Sequence, residues 1–95
     1  MNQYELALVI SPEMDEEALA AFLNKVSQWI TDASGQVIKI DQWGRRKLAY
    51  PIHKFRDGCY VFISAEMEPD SIETLVQNFN ISELVLRYLV TRKFE

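Results

Sequence analysis

The period of the apolar residues changes along this chain in an order that few folds can satisfy. Over residues 2–10 they alternate, with Tyr4, Leu6, Leu8 and Ile10 on one side and Gln3, Glu5, Ala7 and Val9 on the other, which predicts a strand whose first side meets the core. After the Ser11-Pro12 break the period becomes helical. Leu19, Phe22, Leu23, Val26, Ile30 and Ala33 form one stripe, Asp15 is placed to cap the helix, and Gly35 suits the left-handed position that ends it. The chain is β-rich again over 36–52. A turn at 53–58 then leads into 59–67, where Val61, Ile63, Ala65 and Met67 alternate with Tyr60, Phe62, Ser64 and Glu66, so the two runs read as a long hairpin. Pro69 opens a second helix bearing Ile72, Leu75, Val76 and Phe79. Residues 84–93 close the chain as a strand, with Leu86, Tyr88 and Val90 opposite Arg87 and Thr91.

The order β-α-β-β-α-β predicts an α+β ferredoxin-like sandwich, a four-stranded antiparallel sheet with both helices on one face. At 95 residues, 48% hydrophobic and 25% charged, the chain is expected to form a single domain over 1–95 with one two-layer core. In this topology the first and third strands are central and the second and fourth are edges. The face away from the helices is uncovered, so Tyr60 and Phe62 are expected to point outward there, which marks that face for a protein partner.

The formal net charge of −4 at first argues against a polyanionic ligand. Its distribution argues otherwise. Arg45, Arg46, Lys47, Lys54 and Arg56 fall in an acid-free window over 42–56, and Arg87, Arg92 and Lys93 in another over 84–94, so eight of the ten basic residues occupy two acid-free stretches. The carboxylates gather at Glu13, Asp15, Glu16 and Glu17 and at Glu66, Glu68, Asp70 and Glu73, near the expected helix starts, where the helix dipole favours them. The densest basic segment, Trp43-Gly44-Arg45-Arg46-Lys47-Leu48-Ala49-Tyr50-Pro51-Ile52, sets three cations between an aromatic residue and an apolar run. Guanidinium forks match phosphate oxygens in pairs, and Trp43 and Tyr50 offer faces for stacking. The alternative is a solvated hairpin whose Arg stems cover apolar surface. The two windows form one surface only if the topology lets them meet, and the expected edge positions set them on opposite sides of the sheet.

No run approaches the ~20 apolar residues of a membrane helix, and no basic leader is visible at the N-terminus, so a cytosolic location is the default expectation. Cys59 stands alone in an alternating strand, which suits a small buried hydrophobe better than a reactive thiol. A single histidine, His53, reads as a loop residue rather than a general base. With no nucleophile-base order, Gly-rich phosphate loop or metal-ligand cluster, no enzyme, cofactor or small-molecule substrate is expected. An RNA-recognition-motif domain shares the element order, but its outward aromatics belong at the positions of Cys59 and Val61, not Tyr60 and Phe62. A small phosphatase or a regulatory ligand-binding domain would also suit this architecture, because a fold does not fix function.

The decapeptide resembles the hallmark of the bacterial-type small-subunit ribosomal protein six family: a Gly, a basic stretch, then Leu-Ala-Tyr-Pro-Ile, here Gly44, Arg45 to Lys47, and Leu48 to Ile52. The resemblance extends to Tyr4-Glu5, Pro12, Gly35, Gly58 with Tyr60, and Arg87, and covers nearly the whole chain. It implies a structural protein of the small ribosomal subunit that binds ribosomal RNA of the central domain together with small-subunit ribosomal protein eighteen. The RNA contacts it implies are Arg45, Arg46, Lys47, Tyr50, Lys54, Arg87, Arg92 and Lys93. Trp43, Tyr60 and Phe62 are expected to face the protein partner, and Leu48 and Ile52 to pack. Where members often carry Arg or Lys this chain has Asn2 and Gln3, so an N-terminal phosphate contact is not expected. The sequence stops at Glu95 without the long acidic tail of some members, so tail-dependent behaviour is not expected either. The host is a bacterium or a plastid-type organelle on this reading.

Overall fold

A computed structural model describes residues 1–52 and 54–93. The elements run β1 (Asn2–Ile10), α1 (Glu16–Asp32), β2 (Gln36–Ile52), β3 (Phe55–Met67), α2 (Pro69–Ile81) and β4 (Val85–Lys93). The strands form one antiparallel sheet in the order β2-β3-β1-β4, so β2 and β4 are the edges, as the ferredoxin-like reading requires.

Strand alternation divides the sheet into two faces. On one, Tyr4, Leu6, Leu8 and Ile10 of β1 and Val61, Ile63, Ala65 and Met67 of β3 are buried against Phe22, Leu23, Val26 and Ile30 of α1 and Leu75 and Phe79 of α2. Both helices therefore lie on that face. Trp29 packs edge-on between Phe22 and Phe79, and Tyr88 of β4 stacks against Phe79 while its hydroxyl donates to Asn80 Oδ1 at 2.9 Å. The tyrosine thus lays its ring on the core and keeps its polar end satisfied.

Three boundaries differ from expectation. Asp15 caps α1 as predicted, accepting from the Ala18 amide at 2.7 Å, but the left-handed residue after the helix is Ser34, with φ of 63°, and not Gly35. The Ser34 amide donates to Thr31 O and the Gly35 amide to Ile30 O, the paired bonds of a Schellman ending one residue earlier than Gly35 suggested. The return arm of the hairpin begins at Phe55 instead of residue 59, and Lys54 just before it takes a φ of 73°. In β4 a bulge lies opposite Val9 and Ile10, so Ile10 pairs with Val85 and Val9 with Arg87. Val85 therefore packs against the core in the seat expected for Leu86, while Leu86 lines a surface recess with Phe55 and Ile81. Cys59 is half-buried against the core, as its alternating strand implied. His53, expected in the turn, lies outside the described residues.

Candidate functional site

The face without helices is assembled from the second residue of each strand pair. Across one row stand Gly44, Tyr60, Val9 and Arg87, and across the next Asp41, Phe62, Ala7 and Leu89. Tyr60 and Phe62 point outward, as their alternation predicts, and with Ala7, Val9, Leu89 and Arg87 they wall an apolar recess of about 110 Å³. Leu89 is 64% exposed, so this floor is uncovered.

Trp43 joins the same face. A register shift between Gln42 and Gly44, with Gly44 at φ of 81°, turns the Trp43 ring onto Phe62, centroids 4.8 Å apart. The Arg46 guanidinium lies 5.7 Å from the Trp43 ring centre, and its Nε donates to Trp43 O at 3.4 Å. Phe62, Trp43 and Arg46 thus form a graded stack from apolar floor to charged rim, and cation-π attraction helps to hold the cation at that edge.

Three consecutive cations on a strand cannot share a face. Arg46 pairs opposite Gly58 and belongs with Trp43; Arg45 and Lys47 pair opposite Cys59 and Asp57 and belong to the other side. There Arg45 Nη2 meets Asp57 Oδ2 at 3.3 Å, a diagonal cross-strand ion pair with the guanidinium largely in solvent and the carboxylate partly so. Among the described residues Arg46, Lys47 and Lys54 have no ion pair.

The hairpin runs on past the end of β1 and coils over the open face. Gly58 makes room for this. A Cβ there would run into Val9 Cγ1 and come within 3.5 Å of Leu48, which sits over it and is buried. Leu48 is therefore a packing residue, as expected, and it brings Tyr50 across two strands to β4. Arg87 Nη1 donates to the Tyr50 hydroxyl at 2.7 Å, and its guanidinium carbon lies 5.8 Å from the ring centre. The two basic windows, expected on opposite edges, meet here, because the curled hairpin carries one edge over to the other.

Arg92 and Lys93 do not join this cluster. Six residues along β4 from Arg87 to Lys93 span about 20 Å at 3.3 Å per residue. At that far end Arg92 Nη2 donates to Asn2 Oδ1 at 3.2 Å, and Lys93 Nζ pairs with Glu5 at 3.4 Å and reaches Ser64 Oγ at 3.4 Å. Sequence reasoning missed Leu89 and Val9 on the floor and Asp57 beside Arg45. Alternation already sets Leu89 in phase with Arg87, whereas the role of Asp57 required the register.

A family model described as Ribosomal protein S6 matches residues 3–92 of this sequence. The chain belongs to the ribosomal protein S6 family. Among relatives of that family, the small ribosomal subunit protein bS6 of Moorella thermoacetica is 41% identical over 92 residues, covering 97% of this chain and 94% of the relative. The bS6 protein of Clostridioides difficile is 40% identical, covering 95% and 97%. The crystal structure of 30S ribosomal protein S6 from Thermotoga maritima superposes with a TM-score of 0.92 at 26% identity, over 98% of this chain and 88% of that one. The C-terminal domain of MgtC from Mycobacterium tuberculosis reaches a TM-score of 0.65 at 12% identity, a likeness of fold alone. Membership of the S6 family bears out the expectation drawn from the Gly44 to Ile52 run and makes the chain a small-subunit ribosomal protein. No described helix is long and apolar enough to cross a membrane.

Proposed function

We propose that this chain is a structural, non-catalytic part of the small ribosomal subunit, binding RNA of the central domain together with small-subunit ribosomal protein eighteen at the ribosome in the cytoplasm. The observation that carries the reading is the contact of Tyr50 with Arg87, which joins two acid-free basic segments at one end of an uncovered aromatic face. Arg45, Arg46, Lys47, Lys54 and Arg87 then offer phosphate-binding groups on and beside the hairpin, while Trp43, Tyr60, Phe62 and Leu89 offer the protein partner an apolar floor. Arg92 and Lys93 form a second, separate contact, weakened by the pairing of Lys93 with Glu5.

Physical chemistry supports this division of labour. A guanidinium grips a phosphate through two parallel hydrogen bonds, and each neutralised phosphate releases counterions. The exposed Arg45–Asp57 pair holds Arg45 by at most about 1 kcal/mol, so exchanging the carboxylate for a phosphate costs little. With a net charge of −4 the chain alone binds RNA weakly, and the partner supplies further cationic surface.

Titrating a central-domain transcript across a salt series, with and without the partner protein, tests the reading. Removing both guanidinium groups in an Arg45→Ala, Arg46→Ala variant should flatten the log-log salt slope by about 1.4 to 1.8. An unchanged slope and affinity would remove these residues from the interface, and equal affinity with and without partner would refute joint binding.

A further inference from the structure

Tyr50 carries one of the two aromatic rings of the basic segment, and the face-value reading makes it a stacking platform for a base. Its surroundings argue for a different job. The phenol oxygen is already engaged at 2.7 Å by Arg87 Nη1, and the guanidinium lies against the same ring. The two residues are 37 apart in sequence and sit on the opposite edge strands β2 and β4. Near its tip the hairpin leaves the sheet: Ile10 is the last residue of β1 to pair with β3, at Cys59, so among the described residues the arms over 47–52 and 54–57 have only each other as strand neighbours. An isolated two-stranded ribbon is marginal in water. Leu48 anchors it over Gly58, and Tyr50 pins it two residues farther out.

We propose that Tyr50 is a positioning residue, a strut that fastens the hairpin to β4 and holds Arg87 and the hairpin cations in one fixed arrangement before any RNA arrives. The inference rests on the RNA-binding reading for its consequence but not for its existence. With one nitrogen committed to Tyr50, the planar guanidinium of Arg87 keeps its remaining donors, and the contact limits the rotation of the fork. A pre-set array loses less freedom on binding than a flapping ribbon, so the strut contributes to affinity without touching a phosphate. Arg87 also walls the apolar recess of the open face, so the same strut sets one border of the surface proposed for the protein partner.

The test separates the strut from RNA binding. Tyr50→Phe removes only the hydroxyl of a 57% exposed side chain, and Arg87→Ala removes the other half. In the free protein, amide hydrogen exchange at residues 48–50 and 55–57 should quicken in both variants, and to a similar degree in the double variant. Unchanged exchange in Tyr50→Phe would overturn the strut, whatever RNA does. In RNA titrations with the partner present, Tyr50→Phe should lose about fivefold in affinity at an unchanged salt slope, the size of one net hydrogen bond. Arg87→Ala should lose more and flatten the slope by about 0.7 to 0.9. Adding Tyr50→Phe to Arg87→Ala should cost nothing further. Additive losses would mean that Tyr50 touches RNA itself and would refute the positioning role. If the parent protein fails to bind RNA while exchange still quickens, the RNA reading falls and the strut stands.

Discussion

Ser34 and Gly35 divide the work of stopping α1. Ser34 accepts the left-handed backbone, φ of 63°, which costs an L-residue about 1 kcal/mol, and Gly35, lacking a Cβ, leaves the space that the end of β3 occupies. A Cβ on Gly35 would lie 2.7 Å from Glu66 O, 2.9 Å from Met67 Cγ and 3.0 Å from Ile30 Cγ2, and the carbonyl belongs to a paired strand that cannot yield. Neighbouring substitutions should therefore act in opposite directions. Ser34→Gly should stabilise by about 0.5 kcal/mol, relief of strain less the entropy a glycine adds to the unfolded chain. Gly35→Ala should destabilise by about 1 to 3 kcal/mol through overpacking. Urea midpoints at constant slope measure both, and a stabilising Gly35→Ala would show that the strand end moves freely. The sequence makes Gly35 the natural left-handed residue because glycine is the default there. Its actual reason is a contact with β3, more than 30 residues away, and no local pattern carries that. Asp15 was readable because capping is local: one carboxylate and an amide three residues on.

At the scale of elements, the hairpin is where sequence and structure part most. Alternation fixed the inward side of β1 and β3 residue by residue, since a one-residue slip would expose Leu6, Leu8, Val61 and Ile63 together. Alternation also separates Arg46 from Arg45 and Lys47, so the basic triplet is two surfaces rather than one. The curl that carries Tyr50 to Arg87 was hidden, because it arises from Leu48 settling over the bare backbone of Gly58 against Val9, a contact between three segments. Asp57 became visible only with the register, and it gives the element its own prediction. In an Asp57→Asn variant Arg45 loses its carboxylate and the hairpin one repulsive charge, so RNA affinity should rise by about two- to fivefold, within the range of an exposed ion pair. The gain should shrink as salt rises, because screening weakens the pair and its replacement alike. A gain that persists undiminished at high salt would mean that the substitution acts through hairpin conformation and not through charge.

Over the whole molecule the charges are sorted by end and not strictly by layer, since Asp41 and Glu5 share the open face and Arg45 and Lys47 lie on its other side. The acids at Glu16, Glu17 and Asp70 begin the helices, on the far side of the sheet from Trp43, Phe62 and Leu89, while Arg46 and Arg87 flank the open face. An RNA backbone approaching the helix starts meets like charge, and at the hairpin end of the open face it meets cations at a rim beside an apolar floor, which fits the proposed burial of that floor by a protein while the rim meets phosphate. The sequence supported this sorting once the element order was known, because acids at helix starts and cations in acid-free strands are local patterns. It did not support the exclusion of Arg92 and Lys93, whose separation from the hairpin cations follows from the direction of β4 relative to the curled hairpin. Two substitutions at opposite ends of the sheet test the sorting. Trp43 is 52% exposed and stands at the centre of the stack from Phe62 to Arg46, the kind of aromatic that dominates an interface once a partner desolvates it. Trp43→Ala should weaken partner binding by about 2 kcal/mol or more, roughly 30-fold. Lys93→Ala removes a cation already held by Glu5 and should change partner binding by less than about 0.5 kcal/mol. Calorimetric titration of the partner into each variant reads the difference directly. Equal effects at the two ends would mean that the partner lies along the full length of the open face, and that the apolar floor between Trp43 and Leu89 is not its centre.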